Sequence, residues 1–151
     1  MLPLEVRVAP EMKRLGFLKK VRTWRRTTSE AVQVLNLQKS SWGPAPLYVN
    51  LGVYLRRLGS DPSPSENVCH IRARLERIAS PEYWHAICAL AADEPPAEDA
   101  VTALLNEGIA WLGSVSGEDG LREFLASSKA RHVFIHKLVK EAGSYYVASG
   151  T

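Results

Sequence analysis

The apolar positions of this chain change period near its middle. From residue 47 the sequence alternates strictly, with Leu47, Val49, Leu51, Val53 and Leu55 on one face and Tyr48, Asn50, Gly52 and Tyr54 on the other. Cys69, Ile71, Ala73 and Leu75 repeat the pattern against His70, Arg72, Arg74 and Glu76. A period of two belongs to an antiparallel sheet with one buried and one wetter face. Two weaker segments precede these. Val21–Thr28 is β-branched and aromatic but mostly polar, as an edge strand is. Glu30–Gln38 slips its apolar phase between Val32/Val34 and Leu35/Leu37, which calls for cover on both faces or a bulge near Val34. Beyond residue 97, Val101, Leu104, Leu105, Ile109, Leu112 and Val115 recur at helical spacing.

Punctuation residues place the boundaries. Pro10 opens a short helix that ends near Gly16, with Lys13 and Arg14 in its last turn, where cations suit the dipole. Ser40–Pro46 joins the second and third strands as a turn, and Gly59–Ser65 is a longer flexible loop before the fourth. Ser80–Ile87 reads as a loop and short turn that packs Trp84 inward. Helices are expected over Ala97–Gly113 and Leu121–Ser128. Arg131–Ala142 is a third helix or, alternatively, a strand through Val133–Ile135, and residues 143–151 form a loose tail. The sum is an α+β fold in one domain over residues 1–151, its compact core at about 10–142. An N-terminal helix leads into a four-stranded antiparallel meander, and two or three C-terminal helices pack on the sheet.

Composition narrows the class of protein. Of 151 residues, 46% are apolar and 23% charged, which excludes a disordered tail, a collagen-like repeat and a disulfide-dense module. No apolar run approaches bilayer length and the N-terminus lacks a signal-peptide pattern, so no membrane association is expected. Two cysteines, Cys69 and Cys88, fit a reducing cytoplasm. The net charge of +3 hides an asymmetry: residues 1–28 carry +6, 29–80 carry +2, 81–123 carry −8 and 124–151 carry +3. Basic and acidic elements packed side by side account for this; affinity for a polyanion is the other reading.

Motifs for chemistry are sparse. There is no glycine-rich phosphate loop, and Gly113-Ser-Val-Ser-Gly117 lacks the strand–turn–helix setting of a nucleophile elbow. Cys69, His70, His85 and Cys88 are zinc-ligand types, but adjacent residues on a strand point to opposite faces. His132 and His136 stand four apart without the Glu of HExxH. The carboxylate pairs Asp93-Glu94, Glu98-Asp99 and Glu118-Asp119 sit at helix starts or in loops, where they serve the helix dipole. No catalytic residue, metal site or cofactor is therefore assigned.

The constellation that stands out is the polar face of the sheet. Pairing the third and fourth strands sets Tyr48, Asn50 and Tyr54 beside His70, Arg72 and Arg74, and the edge strand adds either Arg22, Trp24 and Arg26 or Thr23 and Arg25. Aromatics, guanidinium groups and amides together can stack planar groups and donate to anions. The competing reading is that the C-terminal helices half cover this face and the arginines pair with the acidic segment.

Several short signatures resemble one family. Leu15-Gly-Phe-Leu-Lys-Lys, Thr23-Trp-Arg-Arg, Val34-Leu-Asn-Leu-Gln-Lys-Ser, Tyr48-Val-Asn-Leu-Gly-Val-Tyr and Cys69-His-Ile-Arg, followed by Trp84, are similar to the DUF4304 family over about residues 10–115. Its members are small bacterial domains of unknown function. The resemblance implies an α+β domain and no catalytic residue, and it singles out Gln38, Asn50, Arg72 and Trp84 for testing.

The expected function is a non-catalytic interaction or immunity-like module. Its binding candidates are Trp24, Gln38, Tyr48, Asn50, Tyr54, His70, Arg72 and Arg74, and its expected partner is a protein. An enzyme acting on a small anion through His70, Tyr54, Asn50 and Arg72, and a weak nucleic-acid binder, are the alternatives. Monomer and homodimer are both open.

Overall fold

The computed structural model describes residues 1–40 and 46–141. Helix α1 (Pro3–Arg14) leads into strands β1 (Leu18–Lys20), β2 (Thr23–Thr27), β3 (Ala31–Lys39), β4 (Leu47–Leu55) and β5 (Ile71–Arg74). Helical segments α2 (Leu75–Ile78), α3 (Trp84–Cys88), α4 (Glu98–Thr102), α5 (Ile109–Ser116) and α6 (Glu118–Ala126) follow, and strand β6 (Phe134–Ile135) returns to the sheet. The sheet is antiparallel throughout, in the order β1 to β6.

It has six strands where the alternation predicts four. The two further strands are edge strands of three and two residues, too short to show a period; the second lies where the alternative reading set a strand, Val133–Ile135. Residues 131–142 satisfy parts of both readings: a 3₁₀ turn over Ser128–His132, the strand at Phe134–Ile135, then a helical turn over residues 137–141. The expected turn at Ser40–Pro46 falls largely outside the described residues, and so does the expected tail at 143–151.

Helix α1 begins seven residues earlier than Pro10. Leu4, Val8 and Met12 form a buried i, i+4, i+8 stripe that carries the helix past the proline. Its end is at the expected place. Gly16 takes φ of +90°, and the Phe17 and Gly16 N–H groups donate to Met12 O and Lys13 O at 3.0 Å each, a Schellman cap with Phe17 and Met12 both buried. The helix predicted over 97–113 runs from Glu98 to Ser116 and contains a π turn at Ala103–Gly108. The next helix starts at Glu118, three residues earlier than expected, because Gly117 is the break and two acids suit the first turn. Residues 81–88 are helical, not loop.

Register assigns the two faces. Leu35 pairs with Leu51 and Trp24, and Leu51 pairs with Ala73, so these share one face with Ala31, Leu37, Val49, Val53, Leu55 and Ile71. This face packs with α1 and the later helices in one hydrophobic core that includes Leu4, Leu75, Leu104, Leu112 and Val115. β3 pairs with β4 from Ala31↔Leu55 to Lys39↔Leu47 without a bulge. Its phase slip has the other cause: both its faces are covered, and Val32 and Val34 belong to a second small core with Tyr54 and Cys69. The basic start and acidic middle do meet, through Arg7 Nη2 and Glu98 Oε2 at 3.0 Å.

One polar strand crosses the helix side of the sheet. Arg26 Nε donates to Gln33 Oε1 (2.9 Å), Gln33 Nε2 to Ser116 Oγ (3.1 Å), and Ser116 Oγ to Leu112 O (2.6 Å). This chain gives the buried Gln33 and Ser116 their partners and ties α5 to the sheet. Among the described residues, no helix is long and apolar enough to cross a membrane.

Candidate functional site

The polar face of the sheet carries Thr23, Arg25, Asn36, Gln38, Tyr48, Asn50, Tyr54, Arg72 and Arg74, and it is not the face the helices cover. Alternation places Trp24 opposite these residues. It is 1% exposed in the main core, so it is no binding candidate. Of the two readings for the edge strand, Thr23 and Arg25 is the one the register supports.

The remaining candidates fall into two groups. Near the β4–β5 connection the face is sealed by the chain's own residues 56–69. Tyr54 Oη accepts from the Asp61 N–H (3.1 Å), and Arg25 Nε donates to Pro64 O (2.7 Å), pinning that loop across the strands. The Cys69 thiol donates to Ser65 O (3.6 Å) and fills the space over Gly52. A Cβ on Gly52 would stand 2.8 Å from Cys69 Sγ, so only glycine admits this packing. Burial first, and then the nearby Glu66 carboxylate, push the Cys69 thiol up to about 12.

His70 belongs to the same sealed group. Its Nδ1 accepts from the Leu55 N–H (2.9 Å), and its ring lies 4.6 Å from Tyr54 and 5.7 Å from His136. Burial, then the His136 and Arg57 charges, hold it below its ordinary value. With Nδ1 accepting, the neutral ring carries its proton on Nε2, so neither nitrogen is a ready metal ligand. Among the described residues, no group of three His, Cys, Asp or Glu side chains surrounds a common point. Tyr54 and His70 are thus buried within the sealed half rather than on the exposed part of the face. The signal for this was the length of the 56–69 connection, long enough to fold back over the strands it joins.

The other half of the face is left open by the described segments. Asn50 Nδ2 donates to Asn36 Oδ1 (3.3 Å) and to Gln38 Oε1 (2.9 Å), and Asn36 Nδ2 donates to Thr23 Oγ1 (2.9 Å). The ladder fixes each amide's direction. Gln38 turns its carbonyl toward Asn50, which directs its NH₂ group away from the ladder. At the ladder's end Arg74 lies over Tyr48, its guanidinium 3.8 Å from the ring centroid. Gln38 and Arg74 are exposed, Tyr48 is half-buried, and Asn50 is buried beneath them. Arg72 borders the two halves: its Nε donates to Glu66 Oε1 (3.1 Å) and its guanidinium lies 5.4 Å from the Phe134 ring. It is engaged in holding the loop. Among the described residues, no ion pair joins the acidic segment to Arg72 or Arg74.

A second set of side chains converges around Trp84, which the family resemblance singled out without a role. Trp84, expected inside, is 40% exposed. It lines a groove of about 510 Å³ with Glu76, Arg77, Ala79, Pro81, His85, Lys129 and His132. Its neighbours come from three separate segments, so no local spacing could reveal them.

The family model of DUF4304, a domain of unknown function, matches residues 8–114. No curated protein and no solved structure matches the chain. The chain belongs to the DUF4304 family.

Proposed function

For this member of the DUF4304 family we propose a non-catalytic binding module that engages a protein partner through the open half of its polar sheet face. The observation that carries this reading is the amide ladder ending at the Tyr48–Arg74 pair, on the side of the sheet the helices leave uncovered. Asn36, Asn50 and Gln38 are committed to one another in a fixed direction, which holds the exposed Gln38 side chain in place beside the Arg74 guanidinium on its aromatic platform. Preorganised donors lose little freedom on association, and Tyr and Arg are the residue types that anchor interfaces. The basic side chains Lys20 and Arg74 on the same face favour a partner with carboxylates at its surface.

Affinity capture from host extract at low and moderate salt, with wild-type and Arg74→Glu baits of equal melting temperature, tests it. One protein retained by the wild type at both salts, lost with Arg74→Glu, and binding the purified wild type in titration calorimetry is the expected result. Equal capture by both baits places the interface elsewhere. Nucleic acid that elutes steeply with rising salt, as counterion release requires, overturns the protein-partner reading in favour of a polyanion binder.

A further inference from the structure

The groove around Trp84 goes beyond that reading, since it lies apart from the Tyr48–Arg74 face and none of its lining residues belongs to that ladder. Hydrogen bonds between segments distant in sequence fix its walls. Glu107, in the π turn, accepts from Ser80 N–H (2.7 Å) and from Ser80 Oγ (2.8 Å), pinning the start of the turn that leads to Trp84. Lys129 Nζ donates to Ile78 O (2.9 Å), which joins the Ser128–His132 turn to the end of α2 across the groove. π turns inside helices recur at functional sites, and here the π turn carries the carboxylate that sets the Trp84 segment.

The lining has two chemistries. Ala79, Pro81 and the indole of Trp84 make an apolar, flat-sided part, whereas the other described tryptophans, Trp24 and Trp111, are buried. Arg77 places its guanidinium 5.5 Å from the Trp84 ring centroid, and Lys129, His85 and His132 add cationic or N–H donor groups against a single carboxylate, Glu76. An exposed indole beside a guanidinium stacks a planar ring and holds an anion next to it. Glu76 supplies the one acceptor, suited to hydroxyl or amino groups between ring and anion. The volume lies in the range of small-molecule sites, which runs from about 300 to 1,000 Å³.

We infer that this groove binds a small anionic ligand with a planar heteroaromatic ring, of the size and chemistry of a mononucleotide, the ring on Trp84 and the anionic group at Arg77 and Lys129. With no glycine-rich loop in the chain, side chains hold the anion rather than backbone N–H groups.

The test is NMR titration of the full chain, following the Trp84 indole N–H, assigned by its loss in Trp84→Phe. The probes are adenosine 5′-monophosphate, adenosine and inorganic phosphate. A saturable shift with the monophosphate is expected, at least tenfold weaker with adenosine and without saturation with phosphate. Arg77→Gln, a change at an exposed side chain, should weaken the monophosphate at least tenfold at unchanged melting temperature. Arg74→Glu, on the sheet face, should leave it unaltered. An indole resonance that none of the probes moves overturns the inference. So does equal response to monophosphate and adenosine, or full binding by Arg77→Gln.

Discussion

Tyr48 and Tyr54 stand on the same face of the same strand, six residues apart, in the same alternation, yet one is half-buried and the other is core. Around Tyr54 the chain folds back: residues 56–69 bring Pro64, Cys69 and a hydrogen bond from Asp61 over the strand. Around Tyr48 none of the described segments returns over the strand, and the polar side chains satisfy one another through the Asn36–Asn50–Gln38 ladder. The difference shows that side-chain period decides which face a residue occupies, while the length and anchoring of the next connection decide whether that face meets water.

The comparison can be broken most forcefully at the aromatic pair itself. Tyr54→Ala should cost about 3 kcal/mol in chemical denaturation, as loss of a buried aromatic does, whereas Tyr48→Ala should cost about 1 kcal/mol or less. Similar costs at the two positions would mean that both halves are core. Next in size is Gly52→Ala, where the new Cβ meets Cys69 Sγ at 2.8 Å. Overpacking of this kind should cost about 1–3 kcal/mol, visible as a lowered denaturation midpoint.

A smaller effect concerns pH. His70 has its folded value lowered, by burial and then by His136 and Arg57, so the unfolded chain binds the proton first as pH falls. Stability is therefore full above the ordinary histidine range and declines as pH drops through it toward the lower folded value. His70→Asn keeps an acceptor for the Leu55 N–H and removes the titration. The melting temperature of that variant should fall less between pH 7 and pH 5, about the range of an ordinary histidine's charge change. Glu5 acts at lower pH. Burial opposes its charge, but the Lys19 ammonium at 2.7 Å and the Leu2 N–H hold its carboxyl below the usual range, so its contribution is present at neutral pH and lost on further acidification. The smallest effect is chemical: Cys88, exposed, should react with a thiol reagent in the folded protein, and Cys69 only on unfolding.

Much of this was legible in the residues. The alternation of β4 and β5, the Gly16 cap and the antiparallel order follow from local spacing and hold in three dimensions. Asn50 and the pair Tyr48 and Arg74 were named from the alternation, and Gln38 from the family resemblance. What was hidden depends on contacts between distant segments. Trp24 offered two phases on a short polar strand, and only its pairing with Leu35 puts it in the core. His70 and Tyr54 alternate correctly but lie under a loop whose path no period encodes. β6 is two residues long and joins the sheet after some sixty residues of mostly helical chain, so its partner Ile71 is invisible to any window. Trp84 sits in a short amphipathic turn where inward and outward phases differ by one residue, and Glu107, which sets that turn, is remote in sequence.

The most direct measurement is tyrosine footprinting resolved by mass spectrometry, comparing modification rates of Tyr48 and Tyr54 in the folded protein, first alone and then with the captured partner. Tyr48 should be modified freely and Tyr54 protected in the free protein, with Tyr48 becoming protected when the partner is added. Equal modification of both residues, or a Tyr48 rate untouched by the partner, would contradict the assignment of the open half as the binding face.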